Sequence, residues 1–348
     1  MTFICQQNSP NSPLVSILIP IHGHEPYLEE TLRSIANENF NKFEIVVVIE
    51  DVSRKTKKIV HTSQLELKIV NYKGANGISG ALNQGLNYCK GKYVARMDAD
   101  DKFINNRLSK QVDYLEKNSH VDVLGSGYKT IGEDGKYLAR VTPPQSHMTI
   151  SWGLLLGNCI AHPTVMIRRK ALPSANQIYR PKYNLAEDYD LWTRLIHKVT
   201  FYNLTEPLIE YRIESGTKMD RKQENLSTQI SQREIQKISP QQFSEKEISD
   251  MVDLRKRRIP VSDKECAISN THQLYSDFVT WAGGETEELR RYFVHELIKD
   301  IIASSNQIKD VYYLIDLLRT EPQVLPELLR KAWNTSLLYK NRGSYRTQ

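Results

Sequence analysis

Three aspartates, Asp98, Asp100 and Asp101, follow directly after an apolar segment. Residues 93–97 predict a short buried strand, and a strand places alternate side chains on the same side. Asp98 and Asp100 would then be neighbours whose charges repel each other unless a cation lies between them. Hard divalent cations bind such oxygen ligands, and open α/β sheets bind ligands at the carboxyl ends of their strands. The spacing therefore predicts a metal that bridges these carboxylates to a diphosphate, unless the aspartates only end the strand and cap the next helix.

The elements that would position these aspartates alternate between strands and helices. Nearly continuous apolar runs predict buried parallel strands, over residues 14–21, 43–49, 67–70 and 93–97. A helix is predicted over 27–35, and Pro20 is expected to end the ladder of the first strand. The order β-α-β-α-β-α-β predicts a doubly wound sheet with right-handed crossovers.

Two further polar segments follow predicted strands. Glu50 and Asp51 end the second strand, where acidic residues often contact the ribose or base of a nucleotide, and where solvated loop carboxylates are equally common. Residues 76–86 form a glycine-rich turn that enters a helix. Such a turn is either a site for phosphate or close backbone approach, or a plain glycine turn and cap.

The composition is that of a globular protein with an anionic ligand or partner. The chain has 348 residues, 40% of them hydrophobic and 25% charged, with a formal net charge of +6. This charge fits an anionic ligand or membrane surface and is too small to indicate nucleic acid. No segment approaches the roughly 20 apolar residues of a membrane span, and the first residues lack the pattern of a signal peptide, so a cytoplasmic protein is expected. The four cysteines form no paired motif, which argues against zinc and a disulfide framework.

Five segments together resemble family 2 glycosyltransferases of the GT-A fold. They are Ile19-Pro20-Ile21-His22, Glu50-Asp51-Val52-Ser53, Asn76 to Gly85, Gly91 to Asp101, and Ala186 to Trp192 with its Glu187-Asp188 pair. They occur in the family's order over about two thirds of the chain, although each alone is a weak signal. The resemblance implies a Rossmann-like mixed sheet flanked by helices, and an inverting, metal-dependent hexosyltransferase.

The resemblance also implies roles for individual residues. Asp51 would contact the base of a nucleotide sugar, Asp98 its ribose, and Asp100 a Mn²⁺ or Mg²⁺ ion on the diphosphate. Asp188 would be the general base, because an acceptor hydroxyl must be deprotonated as it attacks. The metal would stabilise the charge of the leaving diphosphate. The remaining donor-binding residues that the resemblance implies are Pro20, Glu25, Asn83, His162 and Glu187.

The sequence departs from the family pattern in the loop after the first strand, which reads His22-Gly23-His24-Glu25-Pro26, and after the last strand. Glu214 stands where many relatives have a histidine that binds metal. Glu214 is either a hard oxygen ligand of the metal or a surface carboxylate. His162 either touches the sugar or phosphate, or is a structural histidine beside a strand. Glu187 and Asp188 precede a predicted helix, so they are also candidates for its N-terminal cap.

Two regions are expected. Residues 1–218 would form the catalytic domain, with nucleotide binding in about 14–105 and acceptor binding in 106–218. Within it, helix 107–117 and strand 121–127 are predicted. Residues 219–348 are rich in Lys, Glu and Gln and predict a helical extension, with a helix over 285–302 and further helices over 307–318 and 326–338. Its helices either lie against an anionic membrane that carries a lipid-linked acceptor, or form a soluble cap or dimer face.

The predicted reaction transfers a sugar from a nucleotide diphosphate, expected to be a UDP-sugar, to a saccharide acceptor in surface polysaccharide or lipopolysaccharide synthesis. This would place the enzyme in the cytoplasm, at the inner face of the membrane if the acceptor is lipid-linked. One alternative is a sugar-phosphate nucleotidyltransferase, which would need a basic, glycine-rich loop after the first strand. Residues 20–23 lack the Lys or Arg of such a loop. A second alternative is a non-catalytic nucleotide-sugar-binding module. The sequence leaves the sugar, the linkage and the oligomeric state open.

Overall fold

The computed structural model describes residues 12–173, 178–213, 221–256 and 261–303. The chain forms two compact units, Met1–Glu234 and Ile235–Gln348. The expected boundary at 218/219 falls between described ranges and stays a prediction. The two helices expected over 307–318 and 326–338 also lie outside the described residues.

The first half of the chain alternates between strands and helices as predicted. Its elements are β1 (Val15–His22), α1 (Leu28–Ala36), β2 (Phe43–Glu50), α2 (Arg54–Thr62), β3 (Leu67–Asn71), α3 (Gly77–Leu86) and β4 (Tyr93–Arg96). The four strands are parallel, in the order β3-β2-β1-β4. This confirms the β-α alternation and the parallel arrangement.

The rest of the first unit extends this sheet with strands of both directions. Its elements are β5 (Lys102–Phe103), α4 (Arg107–Lys117), β6 (Val123–Ile131), β7 (Tyr137–Val141), α5 (His147–Leu156), β8 (Met166–Arg168), α6 (Glu187–Leu195), β9 (Phe201–Arg212) and the start of α7 (Arg221–Ile238). Strand β8 pairs antiparallel with both β4 and β6, and β6 pairs parallel with β9. The described strands follow the order β3-β2-β1-β4-β8-β6-β9-β5, with β7 on β6.

Two hydrophobic clusters cover the parallel part of the sheet. Val15, Ile17 and Ile19 belong to one cluster, whereas Leu18 belongs to the other. Alternate residues of a strand point to opposite faces, so a strand buried on both faces has apolar residues at nearly every position. This double burial explains why β1 and β2 were recognisable as apolar runs.

Strand β1 continues through Pro20, so the expectation that Pro20 ends the ladder was wrong. Pro20 is paired in register with Val48 of β2. On the other side, the last β1 contact with β4 is the bond from the Met97 N–H to the Leu18 carbonyl. Because backbone groups two residues apart point to the same side, the N–H that proline lacks would face β4 beyond its end. The strand therefore tolerates proline here.

The second unit is helical in its described residues. It contains the end of α7, then α8 (Glu245–Arg255), α9 (Val261–Trp281) and α10 (Glu287–Ala303). Leu289, Phe293, Leu297 and Ile301 are all buried, as the four-residue spacing predicted. Within the described ranges, no helix combines the length and apolar character needed to cross a membrane.

Candidate active site

A cavity of about 840 Å³ opens at the carboxyl ends of β1, β2 and β4. Pro20 and His22 come from β1, and Glu50 from the end of β2. The remaining walls are Ile21, Glu25, the start of α3 (Gly77, Ile78, Ala81), the loop with Asp98, Ala99 and Asp100, then Asn184, Leu185, and Tyr211 to Ile213. The cavity thus lies where an open α/β sheet binds its ligands.

The start of α3 approaches Asn184 too closely for a side chain at Gly77. Gly77 has φ +51°, and a Cβ built there would lie 2.8 Å from Nδ2 of Asn184. Oδ1 of Asn184 accepts a hydrogen bond from the Ser79 N–H at 3.2 Å. Glycine therefore lets the helix start pack against this wall of the cavity.

Asp98 and Asp100 both line the cavity, but a loop rather than a strand places them there. Strand β4 ends at Arg96, so the expectation that strand alternation aligns the two side chains was wrong. The capping alternative also fails, because α4 begins at Arg107 with Asn106 at its N-cap. Both residues instead line the cavity from this loop.

Burial and mutual repulsion raise the pKa values of these carboxyl groups. The pKa of Asp100 rises to about 6, chiefly through burial and then through Asp98. The pKa of Asp101 lies well above its ordinary value for the same reasons. Oδ1 of Asp101 accepts a bond from the Arg212 N–H at 2.9 Å, and its buried Oδ2 has no hydrogen-bond partner among the described residues. The three carboxyl groups therefore resist being ionised at the same time.

Arg96 is the buried counter-charge of this cluster, and the sequence analysis missed it. Its side chain is 6% exposed and forms an ion pair with Asp98. Its charge also lowers the pKa values of Asp100, Asp101 and Asp188. A single arginine in an otherwise apolar strand, two residues before Asp98, was the signal that could have revealed it.

Arg212 fastens the end of β9 to the loop of Asp100. Its Nε donates to the Asp100 carbonyl at 3.1 Å, and its Nη2 donates to Glu30 at 2.9 Å. The guanidinium also lies 3.8 Å from the ring centroid of Tyr27. Arg212 therefore holds the cavity wall, whereas the predicted ligand Glu214 lies outside the described residues.

Glu187 and Asp188 form a second acidic pair in the first turn of α6. Oδ2 of Asp188 accepts a bond from Asn158 Nδ2 at 2.8 Å, and Oδ1 accepts one from the Tyr189 N–H at 2.7 Å. Oε2 of Glu187 accepts a bond from the N–H of Leu185 at 3.0 Å. The N-cap position itself is Ala186, with no side-chain cap bond. The pair thus satisfies local N–H groups without capping the helix.

The pKa values of this pair are also raised. Burial, and then Asp188, raise the pKa of Glu187 to about 7. Burial raises the pKa of Asp188, while Arg96 lowers it and Asp98 raises it. Both acidic pairs therefore lie within the field of Arg96. Leu185, which lines the cavity beside Glu187, has a strained φ of +87°.

The structure places the predicted donor-binding residues in different surroundings. Pro20, Glu25 and Asp98 line one cavity together with the predicted metal ligand Asp100. Asp51 is instead an exposed residue with φ +45° next to the lining residue Glu50.

Asn83 and His162 make contacts within the protein. Asn83 donates to the Tyr179 carbonyl at 2.6 Å and accepts from the Tyr179 N–H at 2.9 Å. His162 is buried, and its Nε2 lies 3.0 Å from the Tyr179 hydroxyl. Burial lowers the pKa of His162 well below its ordinary value, so its ring is neutral. These contacts fit the structural alternative for His162.

The acidic cluster suits a divalent cation that a ligand helps to hold. Among the described residues, no group of three or more His, Cys, Asp or Glu side chains is arranged to bind a metal alone. Asp100 nevertheless lines the cavity with Asp98, and a cation would relieve the repulsion by Asp98 that adds to burial in raising the pKa of Asp100. The remaining ligands would have to come from a bound molecule with its own oxygens.

The chain is similar to known glycosyltransferases. Residues 16–173 match the model of Glycosyl transferase family 2. The chain is 31% identical over 206 residues to the O-antigen biosynthesis glycosyltransferase WbnJ of Escherichia coli, covering 58% of this chain and 80% of WbnJ. The chain belongs to glycosyltransferase family 2 and is a glycosyltransferase.

Two further comparisons agree with this assignment. The chain is 28% identical over 223 residues to the UDP-Glc:alpha-D-GlcNAc-diphosphoundecaprenol beta-1,3-glucosyltransferase WfgD of Escherichia coli, covering 62% of this chain and 83% of WfgD. Residues 1–349 of TarS from S. aureus, solved in complex with UDP, match with a TM-score of 0.52 and 18% identity, over 90% of this chain and 91% of that one. A longer TarS chain is covered over only 49% of its length. The TarS likeness confirms the GT-A fold.

Proposed function

We propose that this glycosyltransferase moves a sugar from a UDP-sugar to a saccharide acceptor with inversion at the anomeric carbon. The observation that carries the proposal is the pairing of two acidic sites in one electrostatic field. Asp98 and Asp100 line the cavity, and Asp188 lies in the field of Asp98 and Arg96. A displacement needs a site for the departing diphosphate and a base for the attacking hydroxyl, and these two pairs can supply them.

On the diphosphate side, Asp100 would hold Mn²⁺ or Mg²⁺ together with the donor's own phosphate oxygens, and Asp98 would contact the ribose. The bound ion would supply charge stabilisation for the leaving nucleoside diphosphate. The buried Arg96 holds Asp98 in place through their ion pair, and Arg212 holds the loop through the carbonyl of Asp100. These contacts would hold Asp98 and the loop of Asp100 in position before the donor binds.

On the acceptor side, Asp188 would take the proton of the attacking hydroxyl. Asn158 and the Tyr189 N–H each donate to one carboxylate oxygen and so fix its orientation. Burial raises the pKa of Asp188 above its ordinary value, which makes the carboxylate a stronger base. With one base and no covalent step, attack from the face opposite the leaving group inverts the anomeric carbon.

The setting we propose is the synthesis of a surface polysaccharide or lipopolysaccharide on a lipid-linked acceptor at the inner face of the membrane. The names of WbnJ and WfgD, which specify O-antigen biosynthesis and a diphosphoundecaprenol-linked acceptor, support this proposal. The UDP-Glc in the name of WfgD supports a uridine donor. Family membership itself argues against the nucleotidyltransferase and the non-catalytic module.

A thermal-shift screen of nucleotide sugars, with and without Mn²⁺, tests this proposal. Ligand at a hundred times its dissociation constant should add about 2.7 kcal/mol of stability. We expect a Mn²⁺-dependent shift with one UDP-sugar that is lost in Asp100→Ala. Shifts with guanosine or cytidine sugars alone would refute the uridine donor. If none of the nucleotide sugars shifts the melting temperature, the proposed donor site is refuted.

A further inference from the structure

A second cleft, of about 610 Å³, lies at the amino-terminal ends of β1 and β4. This is the edge of the sheet opposite to the donor cavity, which opens at the carboxyl ends of the same strands. The residues before β1, before β4 and after β8 form its walls with the end of α4. Five of its lining residues are basic and one is acidic, namely Lys90, Lys92, Arg168, Arg169, Lys170 and Glu116. We call this region the basic edge.

Two of the five cations have partners within the protein. Arg168 is buried and donates to the carbonyls of Val121, Leu115 and Asn118, so its charge is used at the end of α4. Lys92 forms an ion pair with Glu116 at 2.7 Å. These two residues therefore build the cleft and leave little charge for a ligand.

Three cations remain for a partner. Lys90, Arg169 and Lys170 are exposed, and none of them pairs with a carboxylate among the described residues. Arg169 is held from behind, since its Nε donates to the Gly91 carbonyl at 2.8 Å, which leaves the ends of its guanidinium available. The acidic neighbour Glu44 is already engaged by the Ser16 hydroxyl and the Lys90 N–H, each at 2.6 Å. The exposed charge of the basic edge is thus positive.

An aromatic residue and a fourth cation lie on the same edge. Tyr88 is 42% exposed, and the Nζ of Lys68 lies 5.3 Å from its ring centroid. Burial raises the pKa of the Cys89 thiol, and Lys68 and Arg169 both lower it, so both cations lie within electrostatic range of this thiol. Exposed tyrosines beside lysines are typical of residues that meet the headgroup layer of a membrane.

The backbone of the cleft argues against a site for a single small anion. Such sites use backbone N–H groups as fixed donors. Here the N–H groups of Lys90, Gly91 and Arg169 bond to Glu44, to Ser16 and to the carbonyl of Lys92. The available charges are carried instead by long, flexible side chains, which suit a surface with many negative groups.

We propose that the basic edge docks on the surface of a bilayer that contains anionic lipids. The three free cations attract the headgroups, and Tyr88 enters the interface beside Lys68. The inference needs neither a nucleotide nor a transfer reaction. Because the basic edge lies opposite the donor cavity, this docking would turn the cavity away from the bilayer, and only an acceptor chain that extends from the membrane would reach it. The inference therefore stands apart from the proposed catalytic function. It also assigns the contact to the first unit rather than to the helical extension.

Co-sedimentation of the full chain with lipid vesicles tests this proposal. Vesicles of phosphatidylglycerol and phosphatidylcholine are compared with pure phosphatidylcholine at low salt. The test variant is Lys90→Gln/Arg169→Gln/Lys170→Gln. The matched control is Lys55→Gln/Lys57→Gln/Lys58→Gln, which removes three exposed lysines from α2 and changes the net charge equally. Thermal melting of both variants checks that they fold.

We expect the test variant to bind anionic vesicles roughly a hundredfold more weakly, since each basic residue near such a surface contributes about 1 kcal/mol. The control should change binding less than about threefold, and salt should weaken wild-type binding. Because Arg169 also supports Gly91, the double variant Lys90→Gln/Lys170→Gln is measured too, with an expected loss of about tenfold to thirtyfold.

Four results would overturn the proposal. They are equal losses in test and control variants, unchanged binding in the test variant, equal binding to neutral vesicles, and displacement from vesicles by micromolar inorganic pyrophosphate. The last result would assign the cleft to a free phosphate ligand instead. Sugar transfer to a soluble acceptor is measured separately, so a failure here is distinguishable from a failure of the proposed reaction.

Discussion

Replacing Asp100 by asparagine should stabilise the metal-free protein, although it removes a residue proposed for function. The pKa of Asp100 is raised from 3.8 to about 6 by burial and by Asp98. The folded protein therefore retains this proton to a higher pH than the unfolded chain does. The stability that the Asp100 carboxyl group contributes is fully present below about pH 4 and is lost as the pH rises towards about 6. It stays lost at higher pH. Asparagine is neutral at every pH and removes this loss.

The size of the effect follows from the shift. A change from 3.8 to about 6 is roughly two pKa units, or about 3 kcal/mol at about 1.4 kcal/mol per unit. Asp100 is only partly buried, so solvent screening reduces this figure. We therefore expect Asp100→Asn to raise the free energy of unfolding by about 1–2 kcal/mol at about pH 7.5, and by almost nothing near pH 4.

Urea-induced unfolding in the presence of EDTA, at several pH values, measures this difference. The control is Asp113→Asn, which changes an exposed aspartate of α4 and should stay within about 0.5 kcal/mol of the wild type. With Mn²⁺ and UDP present, the order should reverse, because only the wild type gains ligand stabilisation. A destabilised Asp100→Asn protein at neutral pH without metal would refute the electrostatic reasoning.

Three further perturbations test other parts of the site. Arg96→Met should lower the free energy of unfolding by about 1–3 kcal/mol because it leaves the partly exposed Asp98 carboxylate without its counter-charge, whereas Arg96→Lys should lose less; equal losses in urea unfolding would contradict the ion-pair role. Asp188→Asn should abolish turnover, while calorimetry still detects nucleotide binding; unchanged turnover would exclude Asp188 as the base. Asn83→Ala should cost about 1–3 kcal/mol by breaking the two bonds to Tyr179 while leaving the donor's dissociation constant unchanged, and a stable variant with weakened donor binding would instead support the donor-binding role.

The parallel half of the fold was predictable because its strands are buried on both faces. In β1 and β2 this double burial produces apolar runs that no loop would carry. Helix α4 was predicted with its observed bounds, since Leu108, Val112 and Leu115 form a regular stripe and are all buried. In these segments the local pattern and the tertiary environment agree.

The mixed half of the sheet was less visible in the sequence. Strand β7 is exposed along most of its length, with Tyr137 and Leu138 both in solvent, so it has no alternating pattern. Strand β9 contains Pro207 and two exposed residues in its middle, where its register with β6 shifts. Neither strand can be recognised without its partner, because the pairing decides which side chains are covered.

For the candidate site, the sequence indicated individual residues more readily than their arrangement. The spacing of Asp98 and Asp100 suggested two neighbouring carboxylates, and both line the cavity, but the loop after β4 places them there. Arg96 is visible in the sequence as a single charge in an apolar strand, but its role as a counter-charge becomes evident only from its burial beside Asp98. Tyr179 lies 96 residues after Asn83 and 17 residues after His162 in the chain. No local sequence pattern encodes contacts over such separations.

The anomeric configuration of the first product tests the central claim most directly. Proton NMR of the product that wild-type protein forms from an α-linked UDP-sugar, Mn²⁺ and a saccharide acceptor gives the configuration of the new linkage. The account predicts a β-linked product, and no product with Asp188→Asn. An α-linked product from the wild-type protein would contradict the single displacement with Asp188 as its base.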